Sequence, residues 1–191
     1  MTMGNAKRFT VAAVLASMAA GSVWADEPAR RAKVVLHVKD YQPVPPGQLR
    51  EAEVVVRSIY ARIGVDVVWT TGAARMAPAD GDRHVDVVIM NKEMTDRDAP
   101  DAKAFGKGNM LIHRATIYFP RIVAHAHKTQ SNPSRVLALV LAHEVGHTLL
   151  PEYSHSSSGL MRARWDGAIV QIPGFAREQA DAIRAMLTTS H

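Results

Sequence analysis

The pentapeptide His143-Glu144-Val145-Gly146-His147 holds the residues of this 191-residue chain with the clearest capacity for chemistry. On a helix of 3.6 residues per turn, positions four apart stack on one face, so both imidazoles reach toward a single point. Neutral imidazole nitrogen suits a borderline cation such as zinc, and a carboxylate directly after the first histidine is placed to work as a base beside it. The chemistry these residue types support is metal-assisted hydrolysis. The cation polarises a carbonyl and lowers the pKa of water to about 7, and the carboxylate takes the proton as that water attacks.

The pentapeptide sits in an apolar run of helix formers, Val136 to Leu150, opened by Ser131-Asn132-Pro133 and closed by Pro151. A capping residue followed by proline at the first helical position predicts a helix start, and the second proline predicts its end. The alternative is a core helix whose two histidines are merely hydrogen-bonded, but burying two imidazoles and a carboxylate without a cation is costly. A catalytic zinc site needs three protein ligands and an open position, so a third ligand must come from beyond the helix. Glu152, His155 and Glu178 all have suitable donors, and Tyr153 offers a phenol as weak ligand or oxyanion partner.

The full string, His143-Glu-Val-Gly-His147 followed by His155-Ser-Ser-Ser-Gly-Leu-Met161, resembles the metzincin clan of zinc peptidases. Within that clan it is most similar to the matrixin pattern, in which the third histidine is followed by serines and then a Leu-Met pair. The resemblance implies one catalytic zinc held by His143, His147 and His155, Glu144 as general base, and Met161 in a turn beneath the metal. It implies an α+β, zincin-like fold: a mixed sheet with an antiparallel edge strand, an active-site helix and a C-terminal helix. The implied activity is that of a zinc-dependent endopeptidase on peptide or protein substrates. One departure is local. The clan has glycine three residues after the second histidine and its third ligand three residues later, where this chain has Leu150 and Tyr153. Leucine resists the positive φ that glycine supplies, so Pro151 is expected to end the helix and a longer loop to carry His155 to the metal. Two other classes fit the same residues. One is a non-catalytic zincin-fold binding protein, against which the retained Glu144 speaks; the other is a zinc hydrolase of a non-peptide amide.

The elements that would position these residues are legible upstream. Residues 33–39 read as a buried strand, 48–63 as an amphipathic helix ended by Gly64, and 65–70 and 84–90 as further strands. Residues 91–109 are polar and read as a surface loop, and 115–119 as the antiparallel edge strand lining the cleft, stopped by Pro120. Residues 175–187 read as the C-terminal helix, in which Glu178 is expected to be solvated. Leu111, Tyr118 and Leu139 are the expected lining of a specificity pocket. His125 and His127 alternate rather than share a helix face, which argues against a second metal there.

Residues 1–25 carry Lys7 and Arg8, an apolar run and a small-residue site ending at Ala25, the pattern of a cleaved secretory signal. Residues 26–191 then form a single catalytic domain, secreted or periplasmic, with no lasting membrane association and expected to act as a monomer. The chain has no cysteine, hence no disulfide and no thiol to cap a metal. Its formal charge of +5 is dispersed rather than gathered into a stripe, which argues against nucleic acid. Arg162 and Arg164 beside Trp165 read as plain surface.

Overall fold

The computed structural model describes residues 31–72, 81–98, 101, 103–151, 154–165, 167, 168 and 170–189. The predicted signal segment lies outside them, as do Glu152 and Tyr153.

Runs rich in β-branched residues build the sheet, buried on both faces in the first strand and alternating in the next two. Strand β1 (Ala32–Asp40) buries Val34, Leu36 and Val38 on one face. It pairs in parallel with β2 (Val65–Thr71) at Val34↔Val67 and with β3 (Asp82–Met90) at Leu36↔Val85. Helix α1 (Pro46–Ala61) joins β1 to β2 and buries Ala52, Val56, Ile59 and Tyr60. Its proline falls in the first turn, where no backbone donor is needed.

The expected loop over 91–109 is instead partly ordered, as helix α2 (Lys92–Asp98) and strand β4 (Gly106–Asn109). The strand expected at the edge is β5 (Arg114–Tyr118), and it is internal. It runs parallel to β3 and antiparallel to β4, giving the order β2-β1-β3-β5-β4. The antiparallel edge strand exists, but it is β4. Gly-Lys-Gly-Asn contains no strand former, and its position follows from how closely its backbone approaches a neighbouring helix.

Phe119-Pro120 does not merely stop β5; it opens helix α3 (Phe119–Thr129), with proline again in the first turn. Helix α4 (Pro133–Leu149) starts as predicted, the Asn132 side chain accepting from the backbone N–H groups of Ser134 and Arg135 at 2.8 and 3.4 Å. It is buried nearly all round, as a helix apolar on every face must be. The Tyr60 hydroxyl donates to the Ala142 carbonyl at 3.0 Å and pins α1 against it. Helix α5 (Arg177–Thr189) buries Ile183 and Leu187 in the same core. No helix of the described residues is long and apolar enough to cross a membrane.

Candidate metal centre

The last turns of α4 bring His143 and His147 onto one face, and the chain then leaves the helix at once. Leu150 is extended (φ −110°, ψ 153°), the conformation that a following proline enforces. This is the route expected in place of a glycine turn. The returning segment is clipped by the Ser156 N–H donating to the Met161 carbonyl at 2.9 Å and the Leu160 N–H donating to Gly174 at 2.8 Å. His155 is thereby set opposite the helix.

The three imidazoles converge. His147 Nε2 lies 3.0 Å from His143 Nε2 and 3.1 Å from His155 Nε2. Zn–N bonds of about 2.1 Å in tetrahedral geometry would separate the nitrogens by about 3.4 Å, close to what is seen. Among the described residues, this is the one cluster of three or more histidine or carboxylate side chains able to share a cation. Glu178 lies outside it, exposed in the first turn of α5, in keeping with a solvated role.

Their hydrogen bonds favour a cation at the centre. His143 Nδ1 donates to the Leu160 carbonyl at 2.8 Å, so in the neutral ring Nε2 carries the lone pair. Ser154 Oγ lies 3.2 Å from His147 Nδ1, and the Gln179 amide donates to the Ser154 carbonyl at 2.9 Å, tying that support to α5. Lone pairs aimed at one point repel unless a cation shares them. The set therefore fits a zinc ion.

Below the histidines, Met161 is fully buried. A Cβ on Gly146 would stand 2.8 Å from Met161 Sδ and 3.1 Å from Phe175 Cε1, so the glycine inside the pentapeptide lets the methionine reach the helix backbone. Trp165 packs edge-on to His143 with ring centroids 6.1 Å apart, and the Arg162 guanidinium lies over the indole. Trp165 and Arg162 therefore flank the site rather than being plain surface, while Arg164 is exposed. Leu139 is fully buried in the core, and the Tyr118 hydroxyl donates to Asp98 at 3.0 Å, so neither lines the cleft; Leu111 does. His125 packs on the Phe105 ring.

Glu144, 7% exposed, turns toward β4, where the Gly108 N–H donates to its carboxylate. Burial raises its pKa to about 8 against that hydrogen bond. Burial also lowers His143 to about 4 and His147 to about 3, the latter helped by the neighbouring imidazoles. A bound divalent cation would draw the glutamate back toward its ordinary range.

These shifts fix a pH profile for the zinc-stripped protein. The unfolded chain protonates its histidines at the ordinary 6.5 while the folded one does not, so their contribution is present above pH 6.5 and lost as pH falls through the folded values. The glutamate acts oppositely: its contribution is full below 4.5 and lost as pH rises through about 8. Between 4.5 and 6.5 two histidines outweigh one glutamate and stability climbs; above 6.5 only the glutamate still changes and stability falls. Urea unfolding after chelation is expected to show a maximum near pH 6.5 from these groups. A continued rise to about pH 8 would contradict the burial of Glu144.

No protein-family model matches the sequence, and no curated protein matches it. Solved structures do match in fold. Archaemetzincin from Methanopyrus kandleri aligns over 85% of this chain and 99% of its own, at 14% identity and a TM-score of 0.52. The fold is zincin-like. A zinc-dependent peptidase from Methanocorpusculum labreanum aligns over 81% of this chain and 99% of its own, at 12% identity and a TM-score of 0.46.

Sequence reasoning did not locate the groups that orient the site. Leu160 is half of the Leu-Met pair, yet its part is played by a backbone carbonyl, which any residue there would supply. Gln179 and Ser154 lie 25 residues apart and meet only in the fold. Gly106 and Gly108 were visible as a Gly-Lys-Gly signal, which by itself says turn rather than strand.

Proposed function

We propose that this protein is an exported zinc metallopeptidase of metzincin type, cleaving peptide bonds with Glu144 as general base. The observation that carries the reading is the convergence of His143, His147 and His155 Nε2 beside a buried carboxylate on the same helix. The zincin-like fold supports it. The matrixin-like refinement is supported by the Leu160-Met161 pair in the sequence and by the buried Met161 packed against Gly146 of the pentapeptide. Export rests on the charged, apolar and small-residue pattern of residues 1–25.

Zinc bound to the three imidazoles supplies Lewis acidity toward a carbonyl and toward water. The protein does the rest. Glu144 takes a proton from the attacking water and delivers it to the departing amine. Leu160 and Ser154 hold His143 and His147 in the orientation in which Nε2 faces the metal. β4, at the sheet edge beside α4, offers backbone groups to an extended peptide by strand addition.

The test is zinc per chain, by elemental analysis, together with hydrolysis of a peptide library, for the mature protein and for His155→Ala. One zinc with peptide cleavage in the wild type is expected. The variant removes one of three ligands at an exposed position, so it should fold but hold zinc at least 100-fold more weakly, an order of magnitude typical of losing metal-site support. Equal zinc retention would remove His155 from the ligand set; a zinc-loaded wild type that cleaves no peptide would remove the peptidase reading.

A further inference from the structure

Arg162 follows Met161 directly and is fixed on two sides. Its backbone bridges in parallel to Ser156, the residue after His155, and its carbonyl accepts from the Trp165 Nε1–H at 3.1 Å. Its guanidinium carbon lies 5.4 Å from the centre of the Trp165 ring, which is itself 6.1 Å from the centre of the His143 ring. Laid end to end, those two spans keep the guanidinium within about 12 Å of a metal-facing imidazole. An extended chain advances about 3.3 Å per residue, so a peptide with a carbonyl at the metal centre carries its neighbours across that range within roughly three or four residues.

This cation has no acceptor. Three arginines among the described residues are not exposed: Arg83, Arg121 and Arg162. Arg83 reaches His113 Nε2 at 3.2 Å, and Arg121 donates to the Ala104 carbonyl at 2.7 Å. Arg162 has no such partner among the described residues. Its Nε is closed off from water without one, and its charge meets only the face of the indole. The ring attracts the cation and sets the plane of the guanidinium, yet it accepts nothing from the N–H groups. Withdrawing donors from water without giving them an acceptor is costly, and structures keep such groups where a ligand makes up the loss. What stays open is the end of the planar fork, the two Nη groups, whose spacing matches the two oxygens of a carboxylate. With the backbone tied to Ser156 and the side chain laid on Trp165 beforehand, little freedom remains to be lost when an anion docks.

The geometry points to Arg162 as a receptor for a carboxylate of the substrate, lying within a few residues of the bond that is cleaved. That carboxylate is either the free C-terminus of a peptide or an acidic side chain. The inference rests on the peptidase reading for the identity of the ligand, though not for the unmet guanidinium. It would give a selectivity that three imidazoles and Glu144 do not supply, since the scissile peptide group is common to all sequences.

The test uses zinc-loaded Glu144→Gln protein, so that binding is read with turnover suppressed, and alanine-based octapeptides labelled with fluorescein at the N-terminus. One pair differs only in a free or amidated C-terminus; a second series is amidated throughout and carries a single Glu, Gln or Lys at each position in turn. Anisotropy titrations should show one placement at which the carboxylate binds about tenfold or more tighter than its neutral isostere, the scale of a charge-assisted hydrogen-bonded pair. A gain for the free terminus over the amide identifies C-terminal recognition, and a gain for Glu over Gln with the terminus amidated identifies an acidic side chain. With Arg162→Gln added the ratio should fall to within about twofold, and with Arg162→Glu it should reverse in favour of the Lys guest. Arg162→Lys keeps a cation over the indole but has no fork, so the ratio should drop at least threefold without vanishing. Neutral peptides should bind all of these proteins alike, which a merely structural role for the side chain would not give. No preference for a carboxylate at any placement, or one that survives Arg162→Gln, overturns the assignment. If Arg162→Gln releases zinc, a ratio undiminished in zinc-loaded Arg162→Lys overturns it equally. Should the Arg162-dependent preference hold while the wild type cleaves none of the peptides, the carboxylate site stands and the peptidase reading falls. Cleavage by the wild type with no Arg162-dependent preference is the reverse.

Discussion

Glu144→Gln is expected to cut peptide hydrolysis by about 10²–10⁴-fold while leaving one zinc per chain, the range over which a positioned general base contributes. Glutamine keeps the shape of the side chain and an oxygen for the Gly108 N–H to donate to, so the contact with β4 survives. It has no basic site for the proton of water. The group is 7% exposed, and replacing an acid in a poorly hydrated place by a neutral isostere leaves no charge unpaired. The metal-free variant should thus be at least as stable as the wild type above pH 8, where the wild-type carboxylate has lost its proton. A loss of activity below about tenfold, with zinc retained, would show that another group takes the proton. Activity lost together with zinc would say that the residue holds the site together rather than serving as its base.

Much of this architecture was legible because it rests on side chains with strong local signals. Asn132-Pro133 announces the start of α4 and Pro151 its end, since one supplies an acceptor to free N–H groups and the other forbids helical backbone before it. The apolar, β-branched runs of β1, β2 and β3 and the amphipathic α1 were readable for the same reason. The three histidines were readable because ligand chemistry restricts residue type. What escaped was built from backbone. The position of β4 depends on the absence of Cβ atoms at Gly106 and Gly108, and periodicity has nothing to register in a four-residue strand without apolar residues. Strand β5 was mistaken for the edge because its free side is satisfied by a neighbour that carries no strand signal. Trp165 was read as surface because its contact is with His143, 22 positions earlier, and no local pattern reports that.

Gly108→Ala is expected to damage stability and site together, and it tests whether β4 is a working part of the centre. A Cβ on Gly108 would collide with the Glu144 carbonyl oxygen and with His147 Cβ, and the first of these is helix backbone that cannot rotate aside. The strand would have to move off α4, at a cost of about 1–3 kcal/mol on the scale of overpacked cores. Moving it withdraws the Gly108 N–H from Glu144, so the base loses its one identified hydrogen bond and its orientation. Gly106→Ala should behave similarly, since its Cβ would stand 2.6 Å from the Thr116 carbonyl oxygen and 2.7 Å from Glu144 Cγ. Gly47→Ala is the control: nothing lies within 4 Å of its Cβ, and a glycine replaced in the first turn of α1 should be neutral or slightly stabilising. Urea unfolding of the zinc-loaded proteins, with kcat measured alongside, separates the cases. Both β4 variants should unfold at lower urea and turn over at least tenfold more slowly than Gly47→Ala, the loss expected when a general base is misplaced. If Gly108→Ala matched the control in both, the close approach of β4 to the metal helix would not be what positions Glu144, and the edge strand would be a bystander to the chemistry.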